Sequence, residues 1–248
     1  CDNPALCVLS PTHDIPPQHF TAHTNHKGSA VSLAIFDLDN TLLSIDSDHA
    51  WGEFLLEQGA VDPVAYREAN ERFMADYNAG TLDMAAFLEM ALKPLADNSP
   101  EQLAAWHQQF MASKIEPHIL PKAEELLARH RTKGDTLLII TATNSFITGP
   151  IAERLGVDDL IAVEPEMIDG RYTGRVDGVP SYREGKVTRL QTWLESNDLT
   201  MDGAWFYSDS HNDLPLLEKV EHPVAVDPDD TLRQVAEERN WRIMSLRD

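Results

Sequence analysis

Two short strings concentrate carboxylates where they could do chemistry. The first, Asp37-Leu38-Asp39-Asn40-Thr41, follows directly on the apolar run Val31-Ser32-Leu33-Ala34-Ile35-Phe36. Residues two apart on an extended chain point to the same side, so Asp37 and Asp39 would crowd one crevice. Such a pair repels, and one member stays protonated unless a cation holds both ionised. The second string, Ser208-Asp209-Ser210-His211-Asn212-Asp213, follows Ala204-Trp205-Phe206-Tyr207. Its acids Asp209 and Asp213 straddle the start of a helix opening at Leu214-Pro215. Each string also has a plain structural reading, as an Asp- and Asn-rich turn or an Asp-rich helix cap. Paired at two strand ends of one sheet, the four acids make a negative pocket suited to a hard divalent cation. Carboxylate oxygens completed by water suit Mg²⁺.

Two single residues join them. Thr141 ends the run Thr136-Leu137-Leu138-Ile139-Ile140 and precedes Ala142-Thr143-Asn144. A hydroxyl there, with backbone N–H groups opening the next helix, forms an anion-holding corner. Lys186, in Arg183-Glu184-Gly185-Lys186, stands at a helix start, where a cation opposes the macrodipole and its placement needs another reason. It reads equally as a surface lysine or as the counter-charge for phosphate and carboxylates.

The elements that must position these residues alternate. Apolar runs recur at Leu160-Ile161-Ala162-Val163 and Pro223-Val224-Ala225-Val226, with helical patterns between strands at Lys122 to His130, Phe146 to Leu155, Lys186 to Leu194 and Leu232 to Arg239. That order predicts βαβ units and an α/β fold with a doubly wound parallel sheet, whose ligands sit beyond the carboxyl ends of the strands. Residues 46–115 break the rhythm with four helical patterns and no strand, an all-helical insertion, leaving 31–45 and 116–248 as the α/β core. Glu164 to Val176, with Gly170, Gly174 and Gly178 in or beside it, reads as a hairpin flap. Residues 1–30 hold four histidines (His13, His19, His23, His26) and four prolines without apolar periodicity, and read as a disordered tail rather than a metal-binding tract.

In type and order, Asp37-x-Asp39-x-Thr41, Thr141, Lys186 and Asp209-x-x-Asn212-Asp213 resemble the motifs of the haloacid dehalogenase superfamily. The helical insertion is similar to its small type-one cap, and the whole is similar to the phosphoserine-phosphatase-like branch, some of whose members act on histidinol phosphate. The resemblance implies a Rossmann-like core and a Mg²⁺-dependent phosphomonoesterase working through an aspartyl-phosphate. It makes Asp37 the nucleophile, Asp39 the acid and base, and Lys186 the counter-charge. Asp37, Asp209, Asp213 and Asp39 (through its main-chain carbonyl) form the metal set, with Asp213 orienting Lys186 or a metal-bound water. Thr41, Thr141 and Asn212 are assigned to the phosphate. Asp46, nine residues after Asp37, matches an acid that meets the substrate amine in related phosphoserine phosphatases, with Asp48 and His49 beside it. Motif two reads Thr-Ala-Thr-Asn instead of a Ser-Gly-type turn, and motif four lacks a Gly-Asp-Gly start; these departures bear on the substrate rather than the reaction. Phosphoryl transfer to an acceptor other than water, and a silent phosphate-binding scaffold, are the alternatives.

Composition limits the partners. Lys and Arg number 20 against 41 Asp and Glu, a formal charge of −21 over 248 residues. That field repels phosphate backbones and anionic lipid, so nucleic-acid and membrane partners are not expected. An anionic substrate must find local positive charge against it. The two cysteines, Cys1 and Cys7, exclude a disulfide framework and fit a cytoplasmic enzyme acting on a small phosphate ester as a monomer or homodimer. Trp51, Phe54, Phe73, Phe87, Trp106 and Phe110 are expected to pack the cap. His107, His118 and His130 are expected on exposed helix faces, and Arg67, Arg72 and His211 are marginal candidates for substrate contact.

Overall fold

The period-two pattern of the first apolar run sets the architecture. In strand β1 (Leu33–Phe36), Ala34 and Phe36 enter one apolar cluster and Leu33 and Ile35 the other, all four residues being buried. Strand β2 (Thr136–Asn144) divides its residues in the same way, with Leu137 and Ile139 on one face and Leu138 and Ile140 on the other. A sheet apolar on both faces needs helices on both. The computed structural model describes residues 32–247, so the expected N-terminal tail lies outside the described residues.

Between β1 and β2 run helices α1 (Ser47–Glu57), α2 (Pro63–Asn78), α3 (Met84–Asp97), α4 (Pro100–Phe110) and α5 (Pro121–Lys133), with a π-helical turn at Met111–Ile115 before α5. After β2 come α6 (Ser145–Leu155), β3 (Asp159–Ile168), β4 (Arg171–Asp177) and α7 (Glu184–Asn197). The chain closes with β5 (Trp205–Ser208), α8 (Leu214–Leu217), β6 (His222–Val226), α9 (Asp230–Glu238) and β7 (Arg242–Met244). Among the described residues the seven strands lie in the order β4-β3-β2-β1-β5-β6-β7. All neighbours are parallel except β3 and β4, the expected hairpin. Its turn is Asp169-Gly170 with both φ positive, the conformation that matches strand twist. β7, a three-residue edge strand, carries too short a pattern to be read from sequence.

The chain winds outward from β1 to β4 and then returns to β5 on the other side of β1. The switch point therefore lies at the carboxyl ends of β2, β1 and β5, where an open α/β sheet leaves a crevice. The helical insertion leaves and rejoins the sheet there on two adjacent segments. Leu43 bridges Ile119, and Ser44 N donates to His118 O at 2.9 Å.

Two expectations need correction. The aromatic residues expected to pack the cap divide: Trp51, Phe54 and Phe110 join the cluster containing Phe36, Leu137 and Ile139 on the sheet, Trp106 packs against that cluster and against the one around Leu92, and Phe73 packs on Phe87 at 5.6 Å. His107 and His130 are buried, not exposed, at 7% and 2%. His107 Nε2 is 3.2 Å from Ile147 O, and His130 lies between Asp135 (2.7 Å) and the Tyr207 hydroxyl (2.8 Å). These polar partners, two of them distant in sequence, offset the cost of burying the rings. His118 is half-buried, its Nδ1 2.9 Å from the Ser44 hydroxyl.

Candidate active site

Asp37 is the first residue beyond β1, and its N–H extends the ladder by donating to Tyr207 O at 2.9 Å. Asn40 adopts φ +57, and the N–H groups of Thr41, Leu42 and Leu43 all turn back on Leu38 O. That turn carries the Thr41 hydroxyl to 3.2 Å from both Asp37 Oδ2 and Asp209 Oδ1, where it donates to one of them while accepting from Asp209 N at 3.1 Å. Lys186, 3% exposed on the first turn of α7, donates to Asp37 Oδ1 and to Asp213, each at 2.8 Å. Asp213 also accepts from the Ser208 hydroxyl at 2.7 Å. The reason for a cation at that helix start is thus two buried carboxylates.

Asp39 turns elsewhere. Its Oδ1 accepts from Ser47 N at 2.7 Å, and its Oδ2 from the hydroxyls of Thr143 (2.8 Å) and Thr141 (3.3 Å). β2 runs four residues past Ile140, so Thr141 lies within the strand, inside a register shift between Ile140 and Asn144, rather than at the helix start. The N-terminus of α6 is instead capped by Asn144. Thr143, absent from the sequence candidates, carried a usable signal, since i and i+2 share one side of a strand.

Burial dominates the electrostatics. It pushes Asp37 up to about 7 against the pull of Lys186, with Asp213 and Asp39 adding to the rise. Burial and then Asp46 push Asp39 up to about 6, against hydrogen bonds from Ser47 and Thr143. Asp209 is raised well above the usual carboxylate range by burial, Asp37 and Asp213. Burial also works against the Lys186 ammonium, but Asp213 and Asp37 outweigh it and hold that charge firmly.

These acids carry more negative charge than one lysine balances. Among the described residues no group of three or more His, Cys, Asp or Glu side chains converges on one point. The side chains divide their tasks: Asp213 is held by Lys186 and Ser208, the Asp39 carboxylate by Ser47 and Thr143, which leaves its main-chain carbonyl as the expected donor, and Asp37 and Asp209 face each other across one hydroxyl. Two carboxylates with water and substrate oxygens are the donor set Mg²⁺ ordinarily takes. The residues fit the ion.

The cavity over this cluster is lined by Asp37, Asp39, Thr141, Thr143, Lys186, Asn212 and Asp213 from the sheet side. Asp46, Asp48, His49, Asn70, Phe73, Tyr77 and Phe87 line it from α1, α2 and α3. Asn212 also ties the two sides together: its amide donates to Tyr77 O at 3.2 Å and accepts from the Tyr182 hydroxyl at 3.1 Å. Arg183 donates to Gly80 O at 2.9 Å across the same gap. His211 pairs with Asp229 at 2.8 Å and abuts Gly80 without lining the cavity. Arg67 and Arg72 are exposed and do not line it.

Residues 34–218 match the family of haloacid dehalogenase-like hydrolases. The chain belongs to that family. A histidinol-phosphatase of Neisseria meningitidis is 46% identical over 87% of this chain and 99% of its own length. A phosphoserine phosphatase of Mycobacterium tuberculosis is 30% identical over 99% of this chain and 78% of its own length. A Bordetella pertussis protein of unknown function has a solved structure with TM-score 0.83 and 46% identity, covering 88% of this chain and all of that one. A substrate-bound phosphoserine phosphatase shares the fold at TM-score 0.65 and 18% identity, over 89% of this chain and 95% of that one. The expected α/β architecture, family and hydrolase class stand. Among the described residues no helix is long and apolar enough to cross a membrane.

Proposed function

We propose that the protein is a cytoplasmic, Mg²⁺-dependent phosphomonoesterase that acts on a small amino-bearing ester through an aspartyl-phosphate. The reading rests on Asp37, a buried carboxylate at the strand end with Lys186 at 2.8 Å, Asp209 across the Thr41 hydroxyl and Asp39 two residues on. Asp37 attacks phosphorus as the ester P–O bond breaks, and the leaving oxygen takes a proton from Asp39. A water then gives its proton back to Asp39 and attacks the aspartyl-phosphate, releasing inorganic phosphate and restoring Asp37. A carboxyl pushed up to about 6 can serve as acid and then as base near neutral pH. Lys186, the Thr141 hydroxyl and the Asn212 amide, which line the cavity, meet the charge on the phosphoryl oxygens, while the buried Thr41 hydroxyl holds Asp37 and Asp209 in place. Mg²⁺, held by Asp37, Asp209 and the Asp39 carbonyl, would neutralise the carboxylate–phosphate repulsion. Helices α1 to α4 act as the cap that excludes water, fastened through Asn212 and Arg183.

The cap side favours histidinol phosphate over phosphoserine. Asp46 and Asp48 can meet an amine, whereas among the described residues the only Lys or Arg lining the cavity is Lys186, which is already committed to Asp37 and Asp213. A substrate carboxylate would meet acids there.

Phosphate release from histidinol phosphate, phosphoserine and p-nitrophenyl phosphate, with Mg²⁺ or with EDTA, tests the reading. Release should require Mg²⁺, vanish in Asp37→Asn and favour histidinol phosphate by at least about tenfold in kcat/KM, as one extra charged hydrogen bond allows. Turnover by Asp37→Asn would sink the mechanism.

A further inference from the structure

The two acids at the cap end of the cavity are not equivalent. Asp46 is the N-cap of α1: its Oδ1 accepts from His49 N at 2.8 Å, and the helix dipole favours its charge. Asp48, in the first turn of the same helix, lines the same cavity. Its carboxylate has neither a hydrogen-bond donor nor a cation against it among the described residues, and the charges that act on it, Asp46 and Asp39, are both negative. A half-buried carboxylate that lines the cavity with only like charges nearby is poorly accommodated unless something else supplies the partner. His49 does not supply it: its Nδ1 accepts from the Asn70 amide at 2.9 Å, and its ring makes no hydrogen bond to Asp48. The adjoining wall is aromatic, with Phe73 and Phe87 edge to face at 5.6 Å. The Phe73 ring already carries the Arg72 guanidinium at 4.7 Å, so toward the cavity this wall offers apolar surface for a planar or alkyl group.

Building on the phosphatase reading, we propose that Asp48 is a specificity-determining residue that holds a second nitrogen-borne N–H or cation of the substrate. Asp46 meets the first. The preferred substrate class is then a phosphate ester with two nitrogen functions and no carboxylate, and an ester with a single amine leaves Asp48 unmatched. Histidinol phosphate satisfies this rule and phosphoethanolamine does not.

The test uses Asp48→Asn, which keeps the shape and removes the charge, in the full chain. Calorimetric binding of histidinol, which carries no phosphate and needs no turnover, should weaken by about tenfold or more on loss of one charge-assisted hydrogen bond. The kcat/KM preference for histidinol phosphate over phosphoethanolamine should fall by a similar factor, through KM rather than kcat. Asp46→Asn, which can still cap α1, should impair both esters alike and leave that preference near the wild-type value. Histidinol binding within twofold of wild type in Asp48→Asn, or an unchanged ester preference, overturns the assignment even if the protein is an active phosphatase. If no ester is hydrolysed while histidinol binding still depends on Asp48, the assignment holds and the phosphatase reading fails.

Discussion

Replacing Lys186 by Met keeps the length of the side chain and removes its charge. The ammonium stands 2.8 Å from both Asp37 Oδ1 and Asp213, and is 3% exposed. At an effective dielectric of about 20, each contact is worth about 6 kcal/mol of Coulomb attraction. Desolvation of the three charges cancels most of that, so the measurable quantity is the cost of stranding two buried carboxylates, about 3–5 kcal/mol. For a domain of this size that corresponds to a fall in Tm of about 6–20 °C. Urea denaturation and calorimetry belong in EDTA, so that no added ion substitutes for the lysine. The double variant Lys186→Met/Asp213→Asn supplies the sharper reading. Removing one stranded charge should return part of the lost stability, giving a coupling of about 1–3 kcal/mol between the two positions. Strict additivity, or a Lys186→Met protein within about 1 kcal/mol of wild type, would mean that the buried Asp37–Lys186–Asp213 bridge does not exist as described.

Three further outcomes follow from separate parts of the molecule. A Cβ on Gly185 would overlap the Pro180 carbonyl oxygen and force the start of α7 outward, taking Lys186 with it; Gly185→Ala should lower kcat by about a hundredfold, and full activity would refute the close approach. Arg183→Ala removes the bond to Gly80 O and should raise KM several-fold while speeding protease cleavage between α2 and α3; unchanged proteolysis would show that this contact does not fasten the insertion. Burial outweighs Asp135 and keeps the His130 imidazolium unfavourable, so the unfolded chain takes up that proton first as pH falls. The stability due to neutral His130 should be complete above about pH 6.5 and drain away below it, at no more than about 1.4 kcal/mol per pH unit. His130→Gln should flatten that slope between pH 8 and 5 in urea titrations; an equal slope in both proteins would reject the assignment.

The parts of the site that lie on the sheet were legible because strand chemistry is local. An apolar run that ends in an acid announces both the strand and the edge from which its side chain emerges, as at Phe36-Asp37 and Tyr207-Ser208-Asp209. Thr143 was within reach by the same period-two rule, had β2 been carried past Ile140. The cavity's other wall was not legible. Asn70, Phe73 and Tyr77 lie on α2, and only the docking of that helix over the sheet brings Tyr77 O to Asn212. His107 and His130 failed for a related reason: a helical histidine reads as exposed until its partners, here the Ile147 carbonyl and the Asp135–Tyr207 pair, are known from the fold. Asp46 and Asp48 were both visible, but which carboxylate the helix consumes as a cap is settled by hydrogen bonding, not by spacing.

The same distinction resolves the conflict between a chain of formal charge −21 and an anionic substrate. Among the described residues five aspartates and one lysine line the cavity, and they supply almost none of the positive charge that a phosphate dianion needs. On the proposed reading that charge arrives with the ligands: a divalent ion between Asp37 and Asp209, and cationic nitrogen at Asp46 and Asp48. Anionic esters without a cation then meet uncompensated carboxylates at the cap end and are refused by repulsion. Discrimination of this kind is electrostatic and must weaken with salt. Raising ionic strength should narrow the kcat/KM gap between histidinol phosphate and phosphoserine mainly by relieving the repulsion felt by phosphoserine; a gap that widens with salt would place the origin of selectivity in shape instead of charge.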